Sequence, residues 1–255
     1  MHITTALERA LTAPPTANEP SVIPTTAPHG CAFCDGAGWY KDAVPYGHPN
    51  FGKLLACQCR RDVAARQEHT RQRAMLGALD RELGQLAHCR LDNYRAGDDF
   101  AHALGVALAY ATRPRGWLYL WGSCGTGKSH LASALAHDAA ARGLRTSYAS
   151  APALLRFIKA GFKDETSDDR LLALQQIDFL VLDDIGAEYH PKPGDFNDVT
   201  LFELINHRYL YDRLTVFTSN LRVDDLEPRI GSRIAGLARD VPMIGPDYRK
   251  NRGGP

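Results

Sequence analysis

Gly122-Ser123-Cys124-Gly125-Thr126-Gly127-Lys128-Ser129 lies between the apolar run Trp117-Leu118-Tyr119-Leu120-Trp121 and an alanine-rich stretch of helical character. This is the pattern of a phosphate-binding loop, in the strand-to-helix context such a loop requires. Its glycines let the backbone turn successive N–H groups inward around phosphate oxygens. Lys128 then reaches the β/γ oxygens, and the Ser129 hydroxyl is placed for Mg²⁺. The helix that begins there adds the positive end of its dipole. Glycine-rich turns also join strands to helices for packing alone, but the complete pattern in this context argues for a bound nucleoside triphosphate.

Working outward from the loop, the chain from about Leu91 alternates strand and helix signals. Strands are expected at Trp117–Trp121, Arg145–Ala149, Phe179–Asp183, Thr215–Ser219 and Val241–Ile244, with helices near 128–142, 151–162, 168–176, 198–211 and 229–238. That order predicts an α/β fold with a five-stranded parallel sheet covered on both faces. Phe179-Leu180-Val181-Leu182-Asp183-Asp184 is apolar without alternation, so it reads as a fully buried strand with two acids at its carboxyl end, where such sheets bind ligands. Asp183 suits the Mg²⁺ hydration shell beside Ser129, and Asp184 suits orienting and deprotonating an attacking water. Thr215-Val216-Phe217-Thr218-Ser219-Asn220 is a second such strand. If it lies beside the strand ending at Asp183, Asn220 points at the γ-phosphate region; otherwise it is an ordinary turn residue.

The 255 residues, 44% of them hydrophobic, allow one substantial core and a smaller appendage, and the net charge of +1 provides no global attraction to nucleic acid. No apolar run approaches the roughly 20 residues needed to span a bilayer, and residues 1–28 lack a basic region followed by an apolar one, so a cytoplasmic location without membrane contact is expected. Residues 1–28, rich in Pro and Thr, read as a disordered tail, although Ile3, Leu7 and Leu11 share one helical stripe. Residues 60–90 read as a basic linker helix with Arg60, Arg61, Arg66, Arg71, Arg73 and Arg81; a solvated face explains it most simply, nucleic-acid contact being the other reading.

Cysteine spacing marks residues 29–59 as a separate module. Cys31-Ala32-Phe33-Cys34 and Cys57-Gln58-Cys59 are two close thiol pairs joined by a loop, the arithmetic of a four-cysteine zinc site. A redox Cys-x-x-Cys would belong to a βαβ pattern, which is missing here. Zn²⁺ would also supply folding energy that so short and core-poor a segment lacks. His29, His48 and His69 are possible substitute ligands, while Cys89 and Cys124 are unpaired, and Cys124 sits at a loop position that tolerates many residues.

GSCGTGKS, FLVLDD and TVFTSN together resemble the AAA+ ATPases, and residues 91–255 are similar to the bacterial and phage replicative helicase loaders of the DnaC/DnaI type, relatives of the IstB ATPases. Leu201-Phe202-Glu203-Leu204-Ile205-Asn206-His207-Arg208-Tyr209, Ile230-Gly231-Ser232-Arg233-Ile234 and Gly245-Pro246-Asp247-Tyr248-Arg249 carry that likeness. The resemblance implies slow, assembly-stimulated ATP hydrolysis by Lys128, Asp183, Asp184 and Asn220. It implies Arg233 as an arginine finger reaching a neighbouring subunit's site, with Arg229 as the fallback. Asp184 stands where most AAA+ proteins have Glu, a departure shared by many loaders. With 22 residues after Arg233, a helical lid domain is not expected.

By the same resemblance, the N-terminal zinc region would engage a hexameric replicative helicase, the ATPase domain would self-associate, and single-stranded DNA would bind the ATPase ring. A transposition helper of the IstB type, remodelling a transposase on duplex DNA, is the alternative. A small-molecule kinase would need an Arg-rich lid and an acceptor site, neither of which the sequence displays. A pure binding module fits poorly with Lys128, Ser129, Asp183 and Asn220 all intact.

Overall fold

The computed structural model describes residues 31–95, 100–186 and 195–248. The expected disordered tail, the candidate ligand His29 and Arg249 lie outside the described residues. The chain divides into two compact units, one ending at Thr70 and one starting at Arg71.

In the first unit, β1 (Trp39–Tyr40) pairs antiparallel with β2 (Leu55–Ala56), in the register Trp39 to Ala56 and Tyr40 to Leu55. The Asp35 N–H donates to the Cys31 carbonyl at 2.8 Å and closes the turn that carries Cys31 and Cys34, and positive φ at Asp35, Gly36 and Gly38 then leads the chain into β1. Directly after β2, α1 (Gln58–Asp80) begins, so Cys59 stands in its first turn.

The second unit is the α/β domain. Its elements are α2 (Ala101–Thr112), β3 (Trp117–Trp121), α3 (Lys128–Ala141), β4 (Thr146–Ser150), α4 (Ala151–Ala160), α5 (Ser167–Gln176), β5 (Phe179–Asp183), α6 (Phe196–Leu210), β6 (Leu214–Ser219), α7 (Pro228–Leu237) and β7 (Ala238–Pro242). The five strands β3 to β7 form one sheet in the order β4-β5-β6-β3-β7, with every pairing parallel. Side chains of one strand alternate between two cores. Trp117 and Tyr119 of β3 join Leu180, Leu182 and Phe217 under α4 to α7, whereas Leu118 and Leu120 join Val181 and Val216 under α2 and α3. Burial on both faces is why these strands read as unbroken apolar runs. On α3, the buried Ala132, Ala134, Ala136 and Ala139 keep its contact face small. From Arg71 onward, α1 belongs to this unit: Leu76 and Leu79 are buried in its core, and Arg71 pairs with Asp169 at 2.7 Å.

Strand boundaries shift by a residue at β4 and β6, and the largest difference is at the last strand. The last strand runs from Ala238 to Pro242, not from Val241, and follows α7 without a loop. β7 has β3 as its one neighbour in the sheet, so Arg239 and Asp240 can stay exposed. An edge strand needs no continuous apolar run, and apolar patterning therefore understates its length.

Candidate nucleotide site and cysteine cluster

Parallel register delivers the phosphate loop, the acids and the polar asparagine to one edge of the sheet. Trp121 of β3 aligns with Ser219 of β6, and β6 is also the neighbour of β5, which ends at Asp183. The condition set for Asn220 is thereby met. The first loop residue is tied to the same edge, since the Gly122 N–H donates to the Ser219 carbonyl at 3.1 Å.

Within the loop, Gly122, Gly125 and Gly127 have φ of +136°, +74° and +90°. All three also need the space that glycine leaves: a Cβ on Gly122 would strike the Met243 carbonyl, one on Gly125 the Asp247 carboxylate, and one on Gly127 the Tyr94 ring. Thr126 is buried and its hydroxyl donates to the Ser123 carbonyl at 2.9 Å, closing the turn. Lys128 opens α3, and its ammonium group donates to the Gly122 and Ser123 carbonyls at 2.9 and 2.7 Å. The loop's own oxygens thus hold the cation at the mouth of the helix N-terminus, where both charge and dipole attract a phosphate. Ser129 follows on the first turn of α3, and Cys124 is exposed on the loop.

Opposite the loop, Asp183 is buried and accepts a hydrogen bond from the Thr218 hydroxyl. The same hydroxyl accepts from the Asp184 N–H at 2.9 Å, so one β6 side chain sets both acids. Asp184 has φ of +57°, a left-handed backbone that turns its exposed carboxylate away from its neighbour's. Asn220 Nδ2 donates to Asp184 Oδ1 at 3.4 Å.

The arginines of α7 bond to residues outside this cluster, and they differ. Arg229 pairs with the buried Asp198 through contacts at 2.9 and 2.8 Å and with Glu227 at 2.7 Å. Arg233 donates to Asn206 Oδ1 at 2.7 Å and to the Arg229 carbonyl at 2.8 Å. Neither arginine hydrogen-bonds to the phosphate loop of its own chain among the described residues.

This geometry coincides with a sequence match: residues 104–235 fit the family described as IstB-like ATP binding protein. The chain belongs to that family. The IstB-like domain is 29% identical to the replicative helicase loader DnaI of Bacillus subtilis over 129 residues, which is 50% of this chain and 41% of that protein. It is 27% identical to the replicative helicase loader DnaC of Escherichia coli over 158 residues, 60% of this chain and 63% of that protein. A crystal structure of DnaI aligns with a TM-score of 0.55 at 26% identity, covering 65% of this chain and 93% of that one. The chain thus matches less than two thirds of the length of either loader.

Several residues around the phosphate loop were given no role by the sequence. Thr218 is one, because a threonine in a buried strand usually reads as mere β propensity. Tyr94 is another: its hydroxyl donates to the Thr126 carbonyl at 3.2 Å, and its ring lies where a Cβ on Gly127 would go. On the other side of the loop, the Tyr248 N–H donates to the Gly125 carbonyl at 3.2 Å, and its ring meets Phe100 edge-on. Tyr148 of β4 is buried, and its hydroxyl is held well above its usual pKa, first by burial and then by the nearby Asp183 carboxylate.

The four cysteines outside the IstB-like match converge as the spacing implied. Their sulfurs all lie within 4.8 Å of one another, with Cys31 to Cys57 at 3.7 Å and Cys34 to Cys59 at 3.4 Å. Tetrahedral thiolates about 2.3 Å from a zinc ion would stand roughly 3.8 Å apart, so the set fits that metal. The Gly38 N–H donates to Cys34 Sγ at 3.2 Å, and Cys59 sits at the positive end of α1. Backbone N–H groups, that of Phe33 first, bring the Cys31 thiol down to about 7, whereas burial and the other thiols push Cys59 up. Four thiolates this close repel one another unless a cation sits among them. Among the described residues, no helix is long and apolar enough to cross a membrane.

Proposed function

We propose that this IstB-like protein is an ATP-hydrolysing loader of a hexameric replicative DNA helicase. Lys128 and the loop N–H groups of residues 122–129 bind the triphosphate, and Ser129 and Asp183 hold the Mg²⁺ that neutralises charge on it. Asp184, steadied by Asn220 and Thr218, orients a water and takes its proton as the oxygen attacks the γ-phosphorus and ADP leaves. Arg233 comes from a neighbouring subunit to stabilise the transferred phosphoryl group, an effect worth about 10³–10⁵ in rate where measured. Arg229, already paired with Asp198 and Glu227, is the fallback for that role. ATP binding orders a ring on single-stranded DNA and hydrolysis releases it, while the zinc-bearing residues 29–59 grip the helicase, residues 60–90 linking them to the ATPase domain 91–255.

The observation that carries this reading is a complete half-site, Lys128, Asp183, Asp184 and Asn220 at one sheet edge, beside an arginine bound away from it. Likeness to two replicative helicase loaders supports the direction of output. The family match favours a second reading, an IstB-type helper that remodels a transposase on duplex DNA.

The two readings separate by mixing the purified protein with a hexameric replicative helicase or with a transposase on duplex DNA, each with and without ATP. A helicase complex lost in Cys57→Ser supports the loader; a transposase complex alone sinks it. In the same assay Arg233→Ala should keep ATP binding and lose assembly-stimulated turnover by at least about 10³-fold.

A further inference from the structure

Two arginines of α7 share a single aromatic ring. The guanidinium carbon of Arg233 stands 4.4 Å from the centroid of Phe202 on α6, and that of Arg229 stands 4.7 Å from it. Their surroundings are unequal. Arg229 is locked by Asp198, whose side chain is 2% exposed, and by Glu227, so its backbone and side chain form a fixed strut. That strut supplies the carbonyl that accepts from Arg233 Nη1, while Asn206 Oδ1 accepts from Arg233 Nε. Nη2 of Arg233 makes no hydrogen bond among the described residues.

We propose that Phe202, Asn206 and the Asp198–Arg229 pair are positioning residues that preset Arg233 for a neighbouring subunit's phosphoryl group. This rests on the arginine-finger reading above. A free arginine side chain samples many rotamers, and a transition state gains most from a donor already aimed at it. Here the ring covers one face of the guanidinium and acceptors engage Nε and Nη1 on two of its sides, leaving Nη2 to be delivered. The helix α6 that supplies Phe202 and Asn206 starts with Asp195 capping the Asp198 N–H at 2.9 Å, which fixes the acid holding the strut. The bland account is that these contacts only glue α6 to α7, as arginine on an aromatic ring often does.

Turnover per subunit, measured against protein concentration with a single-stranded homothymidine oligonucleotide, distinguishes the two. Phe202→Leu, which keeps an apolar contact, and Asn206→Ala should each lower the concentration-stimulated kcat roughly fivefold to tenfold with KM for ATP unchanged. Phe202→Tyr should restore it. In an Arg233→Ala background neither substitution should cost anything more, because the residue they aim is gone. Wild-type rates for both single variants, or the same fractional loss in that background, overturn the proposal. If Arg233→Ala itself keeps full stimulated turnover, the finger reading fails and the cradle falls with it.

Discussion

The α/β domain and the cysteine module hold their shapes by different physics. In the domain, Leu118, Tyr119 and Leu120 of β3 are fully buried, and β5 and β6 lie under helices on both faces. Burial at about 25 cal/mol per Å² of apolar surface can offset the entropy of ordering such a chain. The module instead leaves Phe33 83%, Tyr46 91% and Leu54 63% exposed, and the buried apolar groups of residues 31–59 are the thiols Cys34 and Cys57. Two two-residue strands cannot order themselves, and the four converged thiols are the group that could close the loop around a shared metal. Where the apolar core is small, coordination takes over its task.

Zinc removal is the most direct way to break this contrast. Chelation, or Cys57→Ser, should abolish the structure of residues 31–59, since structural zinc contributes about 10–16 kcal/mol of apparent binding energy in small domains. Elemental analysis should find about one zinc per chain, and proteolysis should become rapid between Cys31 and Cys59 while residues 71–248 keep their thermal transition. A metal-free protein whose module resists protease would remove the zinc assignment.

The domain should yield instead to loss of a buried partner. Arg208 is fully buried and, among the described residues, has no carboxylate hydrogen-bonded to it; its donors reach the carbonyls of Leu174, Ile177 and Leu214 and the Thr215 hydroxyl at 2.7 to 3.0 Å. Burial lowers its pKa to about 9, so it remains charged at neutral pH. Arg208→Ala would orphan these acceptors and open a void, at a cost of about 3–5 kcal/mol in denaturant unfolding, without altering zinc content. A shift under about 1 kcal/mol would show that the helix ends relax to satisfy themselves.

The smallest effect lies at the far edge of the sheet. Asp178 accepts from Arg145 Nη2 at 2.8 Å, and this bonding, against some desolvation, holds its carboxyl below the usual range. A carboxyl with a lowered native pKa stabilises the fold above its unfolded value and loses that contribution as pH falls through the native one. Both side chains are about 30% exposed, so Asp178→Asn should cost only about 1 kcal/mol at pH 7, and the gap to wild type should vanish in acid. A gap that persists below the carboxylate range would assign the effect to packing.

Legibility in the sequence followed the distance over which each feature acts. GSCGTGKS and the two cysteine pairs declare themselves because their chemistry is written in neighbours: a loop of consecutive N–H groups, or thiols presented by one turn. FLVLDD was legible because burial on both faces leaves an apolar run of unmistakable kind. The edge strand β7 was misplaced by three residues at its start because Arg239 and Asp240 face solvent and imitate a loop. Thr218 was silent, since its meaning comes from Asp183 and Asp184 on the adjacent strand, 35 and 34 residues earlier.

Arg229 and Arg233 show where reading by spacing ends. From the sequence they are two arginines on one helical face, either able to serve a neighbour. Fold class, phosphate loop, acids and cysteine cluster were determined by the sequence itself, because local geometry and apolar period fix them. Which arginine is ion-paired to Asp198 and which is hydrogen-bonded to Asn206 was decided only by tertiary structure: Asp198, Phe202 and Asn206 reach α7 across 27 to 31 positions of chain, and only the packing of α6 on α7 brings them together.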